Sequence, residues 1–230
     1  MTGCNNASLA GDSEKPVLEV DTLVQKTESP IEIKFKSAGL INIQDLIPAI
    51  IVDLKYSTTD NFLKTDVYGD LTSAYLQPDV VEKLKKAYAC LQEKDISLTF
   101  VIYDAARPVS VQQKMWDILK LPIKEKGKYL SSPTKGSVHN YGAAIDMSII
   151  KKNGTTIDMG TPFDYFGDLA EPQLEYRMLS EGRLTEEQIN NRKILREVMQ
   201  KAGFRQMSTE WWHYNSCSRE EARIKYKIIN

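Results

Sequence analysis

Residues 137–146 read SVHNYGAAID, and this stretch decides the fold more than any other part of the chain. The small residues 142–144 allow a tight turn between His139 and Asp146. After the turn, apolar and polar residues alternate over 145–149, which predicts a strand with Asp146 on its polar face. The turn therefore brings an imidazole and a carboxylate within reach of one point.

The second histidine of the chain has a similar setting. Residues 208–213 read STEWWH, so Glu210 lies three residues before His213. Two imidazoles and one carboxylate are typical ligands of a hydrolytic zinc site, in which water takes the fourth position. A nearby carboxylate such as Glu210 can accept a proton from that water. The chain has only two histidines, and both fall in this pattern.

Each of these residues also has an ordinary interpretation. A single histidine is usually packed or exposed without a ligand, and Asp146 alone fits a turn partner. Trp211 and Trp212 are more typical of a hydrophobic core than of a binding site. The joint pattern favours a metal site that assists hydrolysis, and the residues by themselves leave the substrate open.

Arg107 is a further candidate, because it directly follows a strand predicted over 97–104. A guanidinium at that position can stabilise an oxyanion or bind a carboxylate. The alternative is a structural ion pair with Asp104 or Asp53.

Outward from the two motifs, the pattern predicts a mixture of helices and strands. Apolar stripes predict helices over 78–94 and 185–202, the second with a capping box. Alternation predicts a strand over 52–56, and Ser110 is a candidate N-cap for a helix over 110–120. Helices mixed with hairpin-forming strands indicate an α+β fold.

The chain has 230 residues and a net charge of −1, from 30 Lys+Arg and 31 Asp+Glu. This balance provides no basic face for nucleic acid. No apolar run approaches the roughly 18 residues of a membrane-spanning helix. Cys90 and Cys217 are spaced for no metal site, and the sequence leaves open whether they pair.

The N-terminal region predicts a tether and an anchor. Residues 2–6 read TGCNN, which resembles the end of a bacterial lipoprotein signal with Cys4 as the lipidated residue. Residues 1–35 are therefore expected to form a largely disordered tether, and 36–230 one catalytic domain. A lipid anchor on Cys4 would be the only contact with a membrane, and it places the protein in the periplasm or on the outer cell surface rather than in the cytoplasm.

Five segments together resemble the zinc D-alanyl-D-alanine dipeptidases. Besides the motifs at 137–146 and 210–213, the matching segments are DLKY at 53–56, YDAARP at 103–108 and DMGTPFD at 158–164. The resemblance implies an α+β fold shared with D,D-carboxypeptidases and the amino-terminal hedgehog domain, an antiparallel sheet with flanking helices. The vancomycin-resistance members carry an aromatic residue before the arginine, where this chain has Ala106.

The resemblance also implies a function. One Zn²⁺ per chain would be held by His139, Asp146 and His213. Hydrolysis of D-alanyl-D-alanine, or a close D,D-dipeptide, would use Glu210 as general base and then as proton donor. Arg107 would stabilise the oxyanion. The dipeptide pocket would be lined by Asp164, Ser137 and Tyr56, with Asp164 suited to the substrate's free ammonium.

Two other functions remain open at this point. A D,D-carboxypeptidase or endopeptidase acting on peptidoglycan stem peptides would use the same metal chemistry. A zinc-binding module without catalysis would share the fold, because a fold does not determine function. The sequence does not predict the oligomeric state.

Overall fold

The computed structural model describes residues 28–230, so Cys4 and the remainder of residues 1–27 lie outside the described residues. The described α-helices are α1 (Pro30–Ser37), α2 (Ile43–Leu46), α3 (Pro78–Lys94), α4 (Val109–Ile118), α5 (Ile123–Lys126), α6 (Glu175–Ser180), α7 (Glu186–Lys201) and α8 (Arg219–Lys225). The strands are β1 (Ile41–Asn42), β2 (Ile51–Val52), β3 (Tyr75–Leu76), β4 (Leu98–Asp104), β5 (Ala144–Lys151), β6 (Arg205–Gln206) and β7 (His213–Asn215). Short 3₁₀ turns lie at Lys55–Ser57, Val138–Tyr141, Asp168–Ala170 and Pro172–Leu174.

The main sheet has five strands in the order β2-β4-β5-β7-β6. Its pairs are antiparallel except for the edge strand β2, which runs parallel to β4. Strands β1 and β3 form a separate two-stranded sheet. The α+β class is confirmed, with a mainly antiparallel sheet as expected. Strand β7 is the last of the described strands in the sequence, yet it lies inside the sheet between β5 and β6.

One face of the main sheet carries the hydrophobic core. Phe100, Ile102 and Met147 are fully buried there, on alternate positions of β4 and β5. Helix α3 packs on β4, and α7 packs on α3. The polar side chains that alternate with these residues point to the opposite face, which carries the candidate site.

Helices α3 and α7 closely follow the sequence prediction. The Thr185 side chain accepts a hydrogen bond from the Gln188 N–H, and the Gln188 side chain accepts one from the Thr185 N–H, as in a capping box. Helix α7 ends before Gly203, which has φ +88°, a value that favours glycine.

Two local predictions were wrong, and ordered structure begins earlier than the sequence indicated. The strand over 52–56 ends at Val52, because the backbone turns into a 3₁₀ helix at Lys55–Ser57. Helix α4 begins at Val109 with Pro108 as its N-cap residue, so Ser110 does not cap it. Helix α1 begins at Pro30, inside the segment expected to be a tether. Its Phe35 is fully buried in the core, so ordered structure begins before residue 36.

The segment after α8 forms backbone hydrogen bonds with two loops on the side of the sheet that carries the candidate site. The Val109 N–H donates a hydrogen bond to the Ile229 carbonyl, and the Ile229 N–H donates one to the Asn140 carbonyl. The Ile229 side chain is buried. The start of α4 and the 3₁₀ turn at Val138–Tyr141 are thereby held to one another.

Within residues 28–230, no helix has both the length and the apolar character that crossing a bilayer requires. Cys90 and Cys217, which the sequence left undecided, are both free thiols and are half-buried.

Candidate metal centre and active site

Strand pairing brings two of the predicted ligands together. Asp146 on β5 lies directly opposite His213 on β7 in the antiparallel register. Side chains of residues directly opposite each other share one face of a sheet, with their Cβ atoms roughly 5 Å apart. The carboxylate and the imidazole are therefore neighbours as a consequence of backbone register.

His139 reaches the same point from the 3₁₀ turn at Val138–Tyr141. The turn ends at Gly142, whose φ of +64° is the left-handed conformation. A Cβ on Gly142 would lie 2.8 Å from the Cδ2 atom of Leu40, so this position also lacks room for a side chain. Glycine therefore lets the chain pass from His139 into β5 within a few residues.

The three side chains form a compact, buried donor set. Nδ1 of His213 lies 2.8 Å from an Asp146 carboxylate oxygen and 3.2 Å from Nε2 of His139. The second Asp146 oxygen lies 3.5 Å from Nε2 of His139. Tetrahedral zinc with bonds of about 2.0–2.1 Å sets its ligand atoms roughly 3.3 Å apart. These distances fit one zinc ion.

The outer nitrogen of each imidazole has its own partner, which determines the atom that faces the metal. Nδ1 of His139 lies 2.6 Å from the Ala105 carbonyl oxygen, so it donates its proton there. Nε2 of His213 lies 3.0 Å from Oδ1 of Asn215 and donates to it. The lone pairs of His139 Nε2 and His213 Nδ1 therefore both point at the shared site.

Replacing Asn215 by alanine is expected to weaken zinc binding about 10- to 100-fold, because His213 loses the acceptor that fixes its ring. A competition assay with a chromophoric chelator measures the change. Asn153→Ala, on the exposed turn after β5, is the matched control. Unchanged zinc affinity in Asn215→Ala would remove this contact from the metal site.

Glu210 lies beside the donor set without joining it. One of its carboxylate oxygens is 3.9 Å from Nδ1 of His213, too far for a hydrogen bond. The side chain is 24% exposed and lines the cavity, so water reaches it. Burial raises the pKa of Glu210, although the nearby His213 lowers it. A carboxylate with a raised pKa is better suited to accept a proton.

The position of Arg107 is compatible with both interpretations that the sequence left open, a structural ion pair and the binding of an anionic oxygen. Its Nε and one terminal nitrogen donate to Asp104, and its other terminal nitrogen donates to Gln112 Oε1 at 2.9 Å. The Asp104 carboxylate also accepts a hydrogen bond from Tyr68 at 2.6 Å. A guanidinium has five N–H groups, more than Asp104 and Gln112 engage, and the side chain lines the cavity. The ion pair with Asp104 orients Arg107, and no pair forms with Asp53.

Asp164 and Tyr56 form a second polar group in the cavity. The Tyr56 hydroxyl lies 2.9 and 3.1 Å from the two Asp164 carboxylate oxygens and donates to them. Asp164 has φ +59°, which is uncommon for a residue other than glycine. Burial raises the pKa of Asp164 well above its usual range, and the charges of Asp146 and Glu210 add to this effect. A cationic ligand group next to Asp164 would stabilise its ionised carboxylate, which burial and the neighbouring charges disfavour.

Ser137 begins the 3₁₀ turn that carries His139. Its Oγ accepts a hydrogen bond from the His139 N–H at 3.3 Å, and its own N–H donates to the Asn140 side chain. Ser137 also lines the cavity.

One cavity of about 460 Å³ joins all eight predicted site residues other than Cys4. They are Tyr56, Arg107, Ser137, His139, Asp146, Asp164, Glu210 and His213. Trp211 and Trp212 are both buried in the core, as their ordinary interpretation predicted, although Trp212 also lines the cavity.

Sequence reasoning missed the residues that orient the site. Asn215 follows His213 by two positions on one strand, so the period of a strand was a usable signal for it. Gln112 and the Ala105 carbonyl oxygen left no such signal, because their roles depend on how α4 and β4 approach the His139 turn.

Comparisons with known proteins agree with this site. The profile of the family Peptidase_M15, described as D-ala-D-ala dipeptidase, matches residues 36–228. The chain is 30% identical over 175 residues to the D-alanyl-D-alanine dipeptidase of Escherichia coli (strain K12), covering 76% of this chain and 83% of that protein. It is 25% identical over 194 residues to the D-alanyl-D-alanine dipeptidase of Enterococcus faecium, covering 76% and 90%.

Among solved structures, the LdcB LD-carboxypeptidase aligns with a TM-score of 0.39 and 16% identity, over 65% of this chain and 63% of that chain. The family match covers most of the residues that the structure describes, and it includes every residue of the donor set. The chain therefore belongs to the D-ala-D-ala dipeptidase family of M15 peptidases.

Proposed function

We propose that this enzyme hydrolyses D-alanyl-D-alanine, or a close D,D-dipeptide, to free D-amino acids with zinc as its cofactor. The observation that carries the proposal is the cavity itself. It joins a zinc-type donor set, a carboxylate that does not ligate and a separate carboxylate suited to an ammonium. The sequence relatives named D-alanyl-D-alanine dipeptidase support this choice of substrate.

Zinc held by His139, Asp146 and His213 would supply an acidified water and polarise the scissile carbonyl. Glu210 accepts the proton of the attacking water on its carboxylate and then donates it to the leaving amine nitrogen. Its distance of 3.9 Å from Nδ1 of His213 supports a role beside the reacting atoms and outside the ligand set. The same group thus serves as base and then as acid.

Arg107 balances the negative charge that develops on the carbonyl oxygen. Asp104 and Gln112 hold the guanidinium in place, and an N–H group that they leave free is available for this oxygen. A donor that is already oriented stabilises a transition state without reorganisation during the reaction.

Asp164 binds the free ammonium of the dipeptide, with Tyr56 holding its carboxylate in position. Ser137, which also lines the cavity, contacts the peptide. This assignment distinguishes a dipeptidase from a carboxypeptidase, because only a free amino terminus satisfies the Asp164 carboxylate.

The first test compares D-Ala-D-Ala with N-acetyl-D-Ala-D-Ala on zinc-loaded protein. We expect kcat/KM to be at least about 100-fold lower for the blocked peptide, which leaves Asp164 without a cationic partner. Asp164→Asn should lower kcat/KM for the free dipeptide by a similar factor, mainly by raising KM. The kcat/KM values of the free and the blocked peptide should therefore become more similar in this variant. Released D-alanine is the measured product.

Asp168→Asn, an exposed residue of the same loop, is the matched control and should leave both rates within about twofold. Equal hydrolysis of both peptides by the wild-type enzyme would contradict the dipeptidase assignment and favour trimming of peptidoglycan stem peptides. Zinc binding without hydrolysis of either peptide would favour the non-catalytic module.

We further propose that the enzyme is anchored at the cell envelope through Cys4. The support is the TGCNN segment at residues 2–6. An enzyme located there meets dipeptide released by wall turnover. In cells that express the full-length protein, we expect it in the membrane fraction, and Cys4→Ser should move it to the soluble fraction. Recovery of the unaltered protein from the cytosol with an unmodified Cys4 would overturn the location.

A further inference from the structure

Three aromatic rings from three separate loops meet close to Asp164, and we name Phe62, Tyr129 and Phe166 the aromatic wall. The ring centroids of Tyr129 and Phe166 are 4.7 Å apart, and those of Phe62 and Phe166 are 5.0 Å apart. Phe62 and Tyr129 are stacked at 6.5 Å. Such distances are those of rings in direct contact.

The aromatic wall forms one side of the catalytic cavity. Tyr129 and Phe166 line the cavity, whereas Phe62 packs behind them. Phe62 also contacts the ring of Tyr56, whose hydroxyl donates to Asp164. Phe166 follows Asp164 by two residues on the same loop. The wall therefore lies at the end of the cavity that holds the Asp164 carboxylate.

The loop that carries Tyr129 is fastened to the rest of the site. The Ser131 carbonyl accepts a hydrogen bond of 2.6 Å from Gln112, which itself accepts one from Arg107. The Leu130 side chain is buried in the core. Tyr129 is thus held from both its backbone and its ring, so it resists displacement by a ligand.

We propose that the aromatic wall sets the length limit of the substrate at its amino end. The inference rests on the proposed function, because it takes the substrate's ammonium to lie at Asp164. A group attached to that nitrogen would have to extend past Asp164 along the cavity that Tyr129 and Phe166 also line, and it would meet their rings. The enzyme thereby excludes longer peptides by shape, in addition to the charge preference of Asp164.

The double variant Tyr129→Ala/Phe166→Ala separates these two effects. The measured quantity is the kcat/KM for N-acetyl-D-Ala-D-Ala divided by that for D-Ala-D-Ala. The blocked peptide has no free ammonium, so it loses the Asp164 contact equally in the wild-type enzyme and in the variant. This loss therefore cancels when the ratios of the two enzymes are compared. We expect the ratio to rise at least tenfold in the variant. Tyr165→Ala, an exposed aromatic residue in the same loop, is the matched control and should leave the ratio unchanged.

A ratio within twofold of the wild type would overturn the proposal. If the double variant does not fold, the single variant Tyr129→Ala removes one half-exposed ring and carries the same test. The ratio of the two dissociation constants is also measured on zinc-loaded Glu210→Gln protein, with or without the wall substitutions. An inactive wild type would refute the proposed function, while this binding ratio would still decide for or against the wall. Failure of D-Ala-D-Ala itself to bind would refute both the proposed function and the role of the wall.

Discussion

Glu210→Gln is expected to keep one zinc per chain and to lose about 10³-fold or more in kcat. The amide has the shape of the carboxylate, but it cannot accept the proton of the attacking water. Glu210 is no zinc ligand in this geometry, since its nearest oxygen is 3.9 Å from His213 Nδ1. Metal analysis and the rate of D-alanine release from D-Ala-D-Ala measure the two expectations separately.

Glu220→Gln is the matched control for this variant. Glu220 also lines the cavity, but its side chain is 70% exposed. We expect its removal to change kcat by no more than about twofold. A Glu210→Gln enzyme as fast as the wild type would remove Glu210 from the mechanism, and a variant without zinc would show that Glu210 holds the metal.

Asp146→Asn is expected to lower zinc affinity at least about 10³-fold and to abolish hydrolysis at physiological zinc levels. Loss of a residue that only hydrogen-bonds to a metal ligand already lowers metal affinity about 10- to 100-fold. An amide in place of the Asp146 carboxylate removes the only charged ligand of the set, so its effect should be larger. The substitution conserves shape, so the register of β5 with β7 should persist. Equilibrium dialysis with a zinc buffer measures the affinity, and circular dichroism checks the fold.

Asp53→Asn is the corresponding control, because Asp53 is a half-exposed carboxylate that pairs with Lys55 outside the cavity. Its zinc affinity should match that of the wild type. If Asp146→Asn retains wild-type zinc affinity and activity, the metal must be held by other side chains.

The sequence predicted those parts of the molecule that depend on local chemistry. Thr185 and Gln188 predict the start of helix α7. The small residues between His139 and Asp146 predict the glycine turn. The metal donor set was predicted because both histidines stand beside carboxylates.

Features that depend on tertiary packing escaped prediction. The alternation at 52–56 is typical of a strand, yet Tyr56 leaves the strand to reach Asp164, which lies 108 positions further along the chain. The Gln112 link between Arg107 and the Ser131 loop likewise joins separate segments. Such contacts have no local sequence period, so periodicity cannot predict them.

The position of β7 within the sheet also determines when the enzyme can acquire its metal. His213 reaches Asp146 only after β7 has inserted between β5 and β6, and the His139 turn is then fastened by Ile229. A chain emerging during synthesis therefore carries two of the three ligands for a long interval before the third arrives. Such non-local pairing forms late in folding. Binding of zinc by all three ligands therefore requires β7 to be in place between β5 and β6.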